Sequence, residues 1–302
     1  MLKYFLAKLW YKIFNKGKYI DLKNEKRTSD RLKYYNSSIY ARILEIQRNI
    51  EGNKELTFLH SGRLGDLIYS LATIKELSKT HKCSLYIQVE KPDIGPHDSS
   101  RKTFIDERCG DLILPLLRKQ DFLENVNIYK DEKIDIDLDL FRDVPINYSF
   151  YSSRWFSHIC GININVEDTF LSAKPHDSIK NRIIVGRSSR YRNAFINYKF
   201  LKNTKNLLCI GLKEEFYDSK KDINDLEFHE CRDFLEMAEI IKASKFFIGN
   251  MSLQYIFSEA LKVPRLLEAS PDYPVAFPVG QNAFDAYHQI HFEKYFRKLN
   301  KS

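Results

Sequence analysis

Asp66 closes the stretch HSGRLGD (60–66), where two glycines and Arg63 lead up to a carboxylate. Gly62 and Gly65 permit a sharp turn that brings main-chain amides close to a ligand. A carboxylate held there can take a proton from an attacking hydroxyl, or it can cap the amides of a following helix. A second group lies in RSSRYR (187–192), where Arg187, Arg190 and Arg192 with Ser188 match the oxygens of a phosphate or diphosphate. A solvated charge run is the alternative. Third, Asn250 and Ser252 precede an apolar helical pattern that includes Tyr255, and free amides at such a helix start favour an anion. Glu214 and Glu215 follow LLCIG, where a carboxylate can accept ribose or sugar hydroxyls, or simply face water.

The segment KIDIDLDL (133–140) alternates Asp135, Asp137 and Asp139 with aliphatic residues. Read as Asp-x-Asp it could hold Mg²⁺ or Mn²⁺ at a diphosphate. Period two instead puts three carboxylates on the polar face of one strand. The strand is preferred here, since such metal sites usually sit in a loop at a strand end, and the last Asp can still reach a cleft. No metal and no cofactor is expected.

Each group sits where a strand meets a helix. Residues 56–60 are a short apolar strand, and Leu67, Ile68, Leu71, Ile74 and Leu77 form the stripe of a helix opening at Asp66. SLYIQVE (84–90), RIIVG (182–186), LLCIGLKEEF (207–216) and the run from Lys245 to Ile248 read as further strands. Helices fall at 150–161, 229–243 and 253–261. Alternating strands and helices predict an α/β fold of two halves: residues 51–178, and residues 179–284 after the sparse stretch 162–178. Residues 285–302 read as a terminal helix.

The formal net charge of +8 is confined to the amino terminus. Residues 1–50 hold 12 Lys and Arg against 4 Asp and Glu, which leaves 36 of each sign for the rest. A neutral body lacks the broad basic groove that nucleic acid needs, so no nucleic-acid partner is expected. Residues 1–16 place Leu2, Phe5, Leu6, Leu9, Trp10, Ile13 and Phe14 on one side of a helix, with Lys8, Lys12 and Lys16 on another. That face suits an anionic membrane surface or docks on the body. Residues 17–55 read as a polar connector with a helix from about Arg31 to Ile50. Five scattered cysteines without a Cys-x-x-Cys pair fit reduced cytosol, and no apolar run spans a bilayer. The expected location is cytoplasmic, peripheral at the inner membrane.

HSGRLGDLIYSLATIKEL resembles the amino-terminal signature of the heptosyltransferase-like glycosyltransferases of family 9, and FIGNMSLQYIFSEALKVP resembles their carboxy-terminal one. The two segments lie about 180 residues apart. The family usually has Asp at Asn250, Gly at Ser252 and His at Tyr255. The resemblance implies a GT-B fold, two Rossmann-like domains facing a cleft, with acceptor on the first, nucleotide sugar on the second, and the terminal helix (285–302) crossing back to the first. It implies Asp66 as the base, Gly65 as shaping its loop, Arg63 at the acceptor or donor phosphates, and inversion without a required metal. The expected activity is sugar transfer from a nucleotide-sugar donor to a surface glycan or lipid-linked acceptor. The alternatives are a non-catalytic sugar-nucleotide-binding protein and a glycosyltransferase that modifies nucleic acid.

Overall fold

The computed structural model describes residues 2–93, 102–144, 152–273 and 275–301. The chain begins with α1 (Leu2–Phe14), turns at Asn15, and continues through α2 (Lys16–Tyr34), a π-helical turn (Tyr35–Ile39) and α3 (Tyr40–Gly52). The Asn15 side chain accepts the Lys18 N–H at 3.0 Å and caps α2. The polar stretch expected to connect is therefore helix, because its Lys, Glu and Arg residues are good helix formers that need no apolar face. Lys18 and Lys26 lie over the rings of Tyr11 and Tyr4, which pairs α1 antiparallel with α2. Phe5, Leu6, Leu9, Trp10, Ile13 and Phe14 of α1 are each more than half exposed. Ile39 at the end of the π-helical turn and Ile46 of α3 are buried, and Arg42 of α3 ties the arm to the body through Asp137 and Asp143 at 2.8 Å each.

The first sheet is built from β1 (Glu55–His60), α4 (Leu64–Leu77), β2 (Lys82–Ile87), α5 (Glu107–Leu117), β3 (Asn125–Ile128) and β4 (Ile136–Asp137), followed by α6 (Arg154–Cys160). All its strands are parallel in the order β3-β2-β1-β4. The expected strand over 133–140 shrinks to two residues and then tightens into a 3₁₀ turn, Leu138–Arg142. The first two residues of the helix expected over 150–161 lie outside the described residues. The second sheet takes β5 (Ile183–Gly186), β6 (Leu207–Cys209), α7 (Lys213–Lys220), β7 (Glu227–Phe228), α8 (Phe234–Lys242), β8 (Phe246–Asn250), α9 (Leu253–Ala260), β9 (Arg265–Glu268) and β10 (Ala283–Ala286). Its order is β10-β9-β8-β5-β6-β7, again all parallel.

In both sheets the chain moves outward from one central strand, then returns to that strand's other side. The reversal points lie between β1 and β4 and between β5 and β8, and the crevice beyond the carboxyl ends of such strands is where open α/β sheets bind ligands.

A continuous buried core joins the first sheet, α4, α8 and α9 to one face of the second sheet, which contributes Ile184, Leu208 and Phe247. The opposite face, with Ile183, Val185 and Phe246, is covered by α10 (Gln289–Lys301). The terminal helix therefore packs on the second sheet and does not cross to the first. Its stripe of Phe292, Phe296 and Leu299 is buried in the same cluster, and Phe292 and Phe296 meet the rings of Tyr198, Phe200 and Phe246.

Candidate functional site

The loop after β1 and the 3₁₀ turn after β4 meet at the first reversal point. Arg63 occupies the N-cap of α4, so Asp66 falls in the first turn of that helix. Its carboxylate stands 3.3 Å from Arg142 Nη2, with a quarter of the side chain exposed. The carboxylate thus lies in the field of the helix dipole and is still open to solvent. Burial raises the Asp66 carboxyl above its ordinary value, against the opposing pull of Arg142 and Arg63. That direction suits a base.

Around Asp66 lies a charge cluster. Arg142 Nη1 donates to Asp139, Lys91 Nζ reaches Asp139 Oδ2 at 2.7 Å, and the Ser61 amide donates to Asp139 Oδ1 at 3.2 Å. The Ser61 hydroxyl donates to the same carboxylate. Arg63 donates to the buried Asp93 at 2.9 Å. The Arg142 guanidinium lies between the rings of Phe104 and Phe141, 4.6 and 4.5 Å from their centres.

The three alternating carboxylates do not converge. Asp135 accepts the Thr57 amide and hydroxyl, Asp137 pairs with Arg42, and Asp139 bonds Arg142 and Lys91 beside Asp66. Among the described residues no group of three His, Cys, Asp or Glu side chains is placed to hold a metal ion.

His60, at the end of β1, is fully buried and its Nδ1 accepts the Gly62 N–H at 2.8 Å. Burial lowers its imidazole to about 3, with Asp139 opposing and Arg142 and Lys91 adding. The folded protein therefore holds it neutral while an unfolded chain protonates it near its ordinary value. Stability from this residue is present above about pH 6.5 and is lost as pH falls from there towards about 3. Replacing His60 by Gln is expected to flatten the decline of melting temperature across that window, read by calorimetry between pH 7 and pH 4.

Across the crevice, the loops after β5 and β8 meet at the second reversal point. Arg187 forks onto the fully buried Glu268 at 2.8 and 3.1 Å and lies 4.6 Å from the centre of the Tyr198 ring. The Asn250 amide nitrogen donates to the carbonyls of Ser188 and Arg190 at 2.9 and 2.7 Å, while its oxygen accepts the Ser188 amide at 2.9 Å. Arg192 pairs with Asp218 at 2.5 Å and bonds the Ser188 carbonyl at 3.0 Å. Ser252 caps α9, accepting the Tyr255 amide at 3.3 Å.

Tyr255 itself is wholly buried in the core, so a phosphate cannot reach it there. Arg187 and Asn250 also turn inward, where they hold the loop together. Arg190 is exposed beside Tyr191, its guanidinium 5.5 Å from that ring. Glu214 and Glu215 sit in the first turn of α7 and not at a strand end, because β6 stops at Cys209. Glu214 is exposed, whereas burial raises the Glu215 carboxyl beside Arg192 and Arg190.

The two halves touch beside Asp66. Gly65 is helical, and a Cβ there would come within 2.5 Å of Ile256 Cδ1. Its role is close approach of α4 to α9, whereas the left-handed turn belongs to Gly62, at φ +98°.

Arg142, Lys91, Asp93 and Phe104 were not anticipated from the sequence. The signal that could have found Arg142 is its position just after the fourth strand, where the reversal rule expects ligands.

Two all-parallel sheets of this order, with crevices at their reversal points, define a GT-B-like α/β fold. Solved structures of glycosyltransferase family 9 share it. The glycosyl transferase family 9 protein of Veillonella parvula matches 82% of this chain and 98% of its own, with a TM-score of 0.57 at 9% identity. The Escherichia coli heptosyltransferase WaaC, solved with ADP-2-deoxy-2-fluoro heptose, matches 82% and 99%, with a TM-score of 0.52 at 10% identity. No protein-family model matches the sequence. No curated protein matches it either.

Proposed function

We propose that this chain is a glycosyltransferase that moves a sugar from a nucleotide-sugar donor to a surface glycan or lipid-linked acceptor, with inversion and without a required metal. The observation that carries the reading is the crevice where Asp66, at the start of α4, lies beside α9 of the second sheet through the Gly65–Ile256 contact. The acceptor oxygen bonds to the anomeric carbon, the bond from that carbon to the diphosphate oxygen breaks, and the hydroxyl proton passes to Asp66. Exposed Arg190 and the amides at the start of α9 neutralise the departing diphosphate. Arg63, Ser188 and Arg192 shape the walls, and Glu215 borders them. WaaC, which shares the fold, is solved with ADP-2-deoxy-2-fluoro heptose, which makes adenosine diphosphate sugars the first donors to try.

The test is thermal stabilisation by ADP, UDP, GDP, CDP and CMP and their sugar conjugates, with and without EDTA. A ligand at about 100 times its dissociation constant adds about 2.7 kcal/mol. One nucleotide raising the midpoint despite EDTA supports the reading. Stabilisation that EDTA abolishes would overturn metal independence, and no response to any nucleotide would overturn the donor.

The basic arm is read as a tether to anionic lipid. Its apolar face is uncovered and flanked by Lys8, Lys12 and Lys16. Deleting residues 1–16 is expected to release the protein from anionic vesicles in a flotation assay and to leave transfer to a soluble acceptor unchanged. Undiminished vesicle binding by the truncated chain would defeat the tether.

A further inference from the structure

A carboxylate flanked by arginines is a weak base unless those arginines are occupied elsewhere. Two arginines neighbour Asp66: Arg142, from the turn after β4, meets it at 3.3 Å, and Arg63 stands three residues before it at the N-cap of α4. Each has a carboxylate of its own. Arg142 bonds Asp139 more closely than it does Asp66, which it meets at 3.3 Å, and Arg63 bonds Asp93 at 2.9 Å. Both partner carboxylates are almost wholly buried, with 6% and 1% of their side chains exposed. Neither is placed to touch a substrate. Phe104 and Phe141 hold Arg142 between them, and Lys91 and Ser61 fix Asp139. The remaining groups are Tyr69 one turn along α4, with Glu259 and Arg265 behind it, and His60 and Asp137 beside Asp139.

We propose that Asp139 and Asp93 are positioning residues that draw Arg142 and Arg63 away from Asp66 and so keep it free to accept a proton. The proposal rests on Asp66 as the base, and its test does not need the donor or acceptor. With ¹³C-labelled aspartate, the Asp66 carboxyl resonance is assigned by its loss in Asp66→Asn and titrated. Asp139→Asn is expected to lower the Asp66 midpoint by about one pH unit, because Arg142 and Lys91 are then uncompensated. Arg142→Gln is expected to raise it by about one to three units.

Opposite signs distinguish this from a scaffold role, which would move both variants together or neither. Asp93→Asn acts through Arg63 and is expected to lower the midpoint too, which keeps the test alive if Asp139→Asn fails to fold. Midpoints that stay put, or that shift the same way in Asp139→Asn and Arg142→Gln, overturn the proposal and leave the base reading intact. Full turnover by Asp66→Asn would overturn the base reading instead, whatever the titration gives.

Discussion

Asp66→Asn is expected to lower turnover about 10²- to 10⁴-fold, the range that a positioned base contributes, with nucleotide binding unchanged. The asparagine fills the same space in the first turn of α4, where it can still meet free amides, so the helix keeps its start. What is lost is the proton acceptor. Because burial already raises the Asp66 carboxyl, the acid limb of kcat/KM in the parent protein should lie above the ordinary carboxylate range. The check is transfer measured with the sugar nucleotide that stabilises the fold, beside nucleotide affinity from the same melts. Equal turnover in the variant would remove Asp66 from the reaction.

Arg187→Ala is expected to have the largest effect on stability. Glu268 is fully buried and accepts both the Arg187 fork and the Asn193 amide at 2.7 Å. Removing the guanidinium strands a buried carboxylate, which costs about 3–5 kcal/mol and lowers the melting temperature by about 10 °C. The double variant Arg187→Ala, Glu268→Gln removes the stranded charge and should regain much of that loss. This pair of measurements separates packing from ligand contact. A double variant that is stable yet binds no nucleotide would return Arg187 to the phosphate clamp, and one that binds normally would establish it as a brace of the loop.

The strand-and-helix rhythm was legible because buried parallel strands and amphipathic helices write different periods into the chain. Asp66, in a glycine-flanked turn after an apolar strand, was legible for the same reason. Other features depended on distant partners. Nothing local to KIDIDLDL says that Thr57, Arg42 and Arg142 lie ready for its three carboxylates, so alternation suggested one polar face where the structure has three separate bonds. Arg187 looked like a phosphate ligand because its acceptor lies 81 residues further on. Asn250 looked the same until the loop carbonyls it binds were in view. The terminal helix was misplaced because its apolar stripe fits any hydrophobic face, and only the aromatic rings of the second sheet decide which one it covers.

From residue 16 to residue 52 the backbone stays helical, about 55 Å at 1.5 Å per residue. No glycine-rich joint separates the outer part from the part that Arg42 and Asn49 fasten beside β4. Such a shaft transmits orientation. A surface that captures Trp10 and Phe14 at its outer end would therefore fix the direction in which the Asp66 crevice opens, and a substrate would have to arrive along that heading.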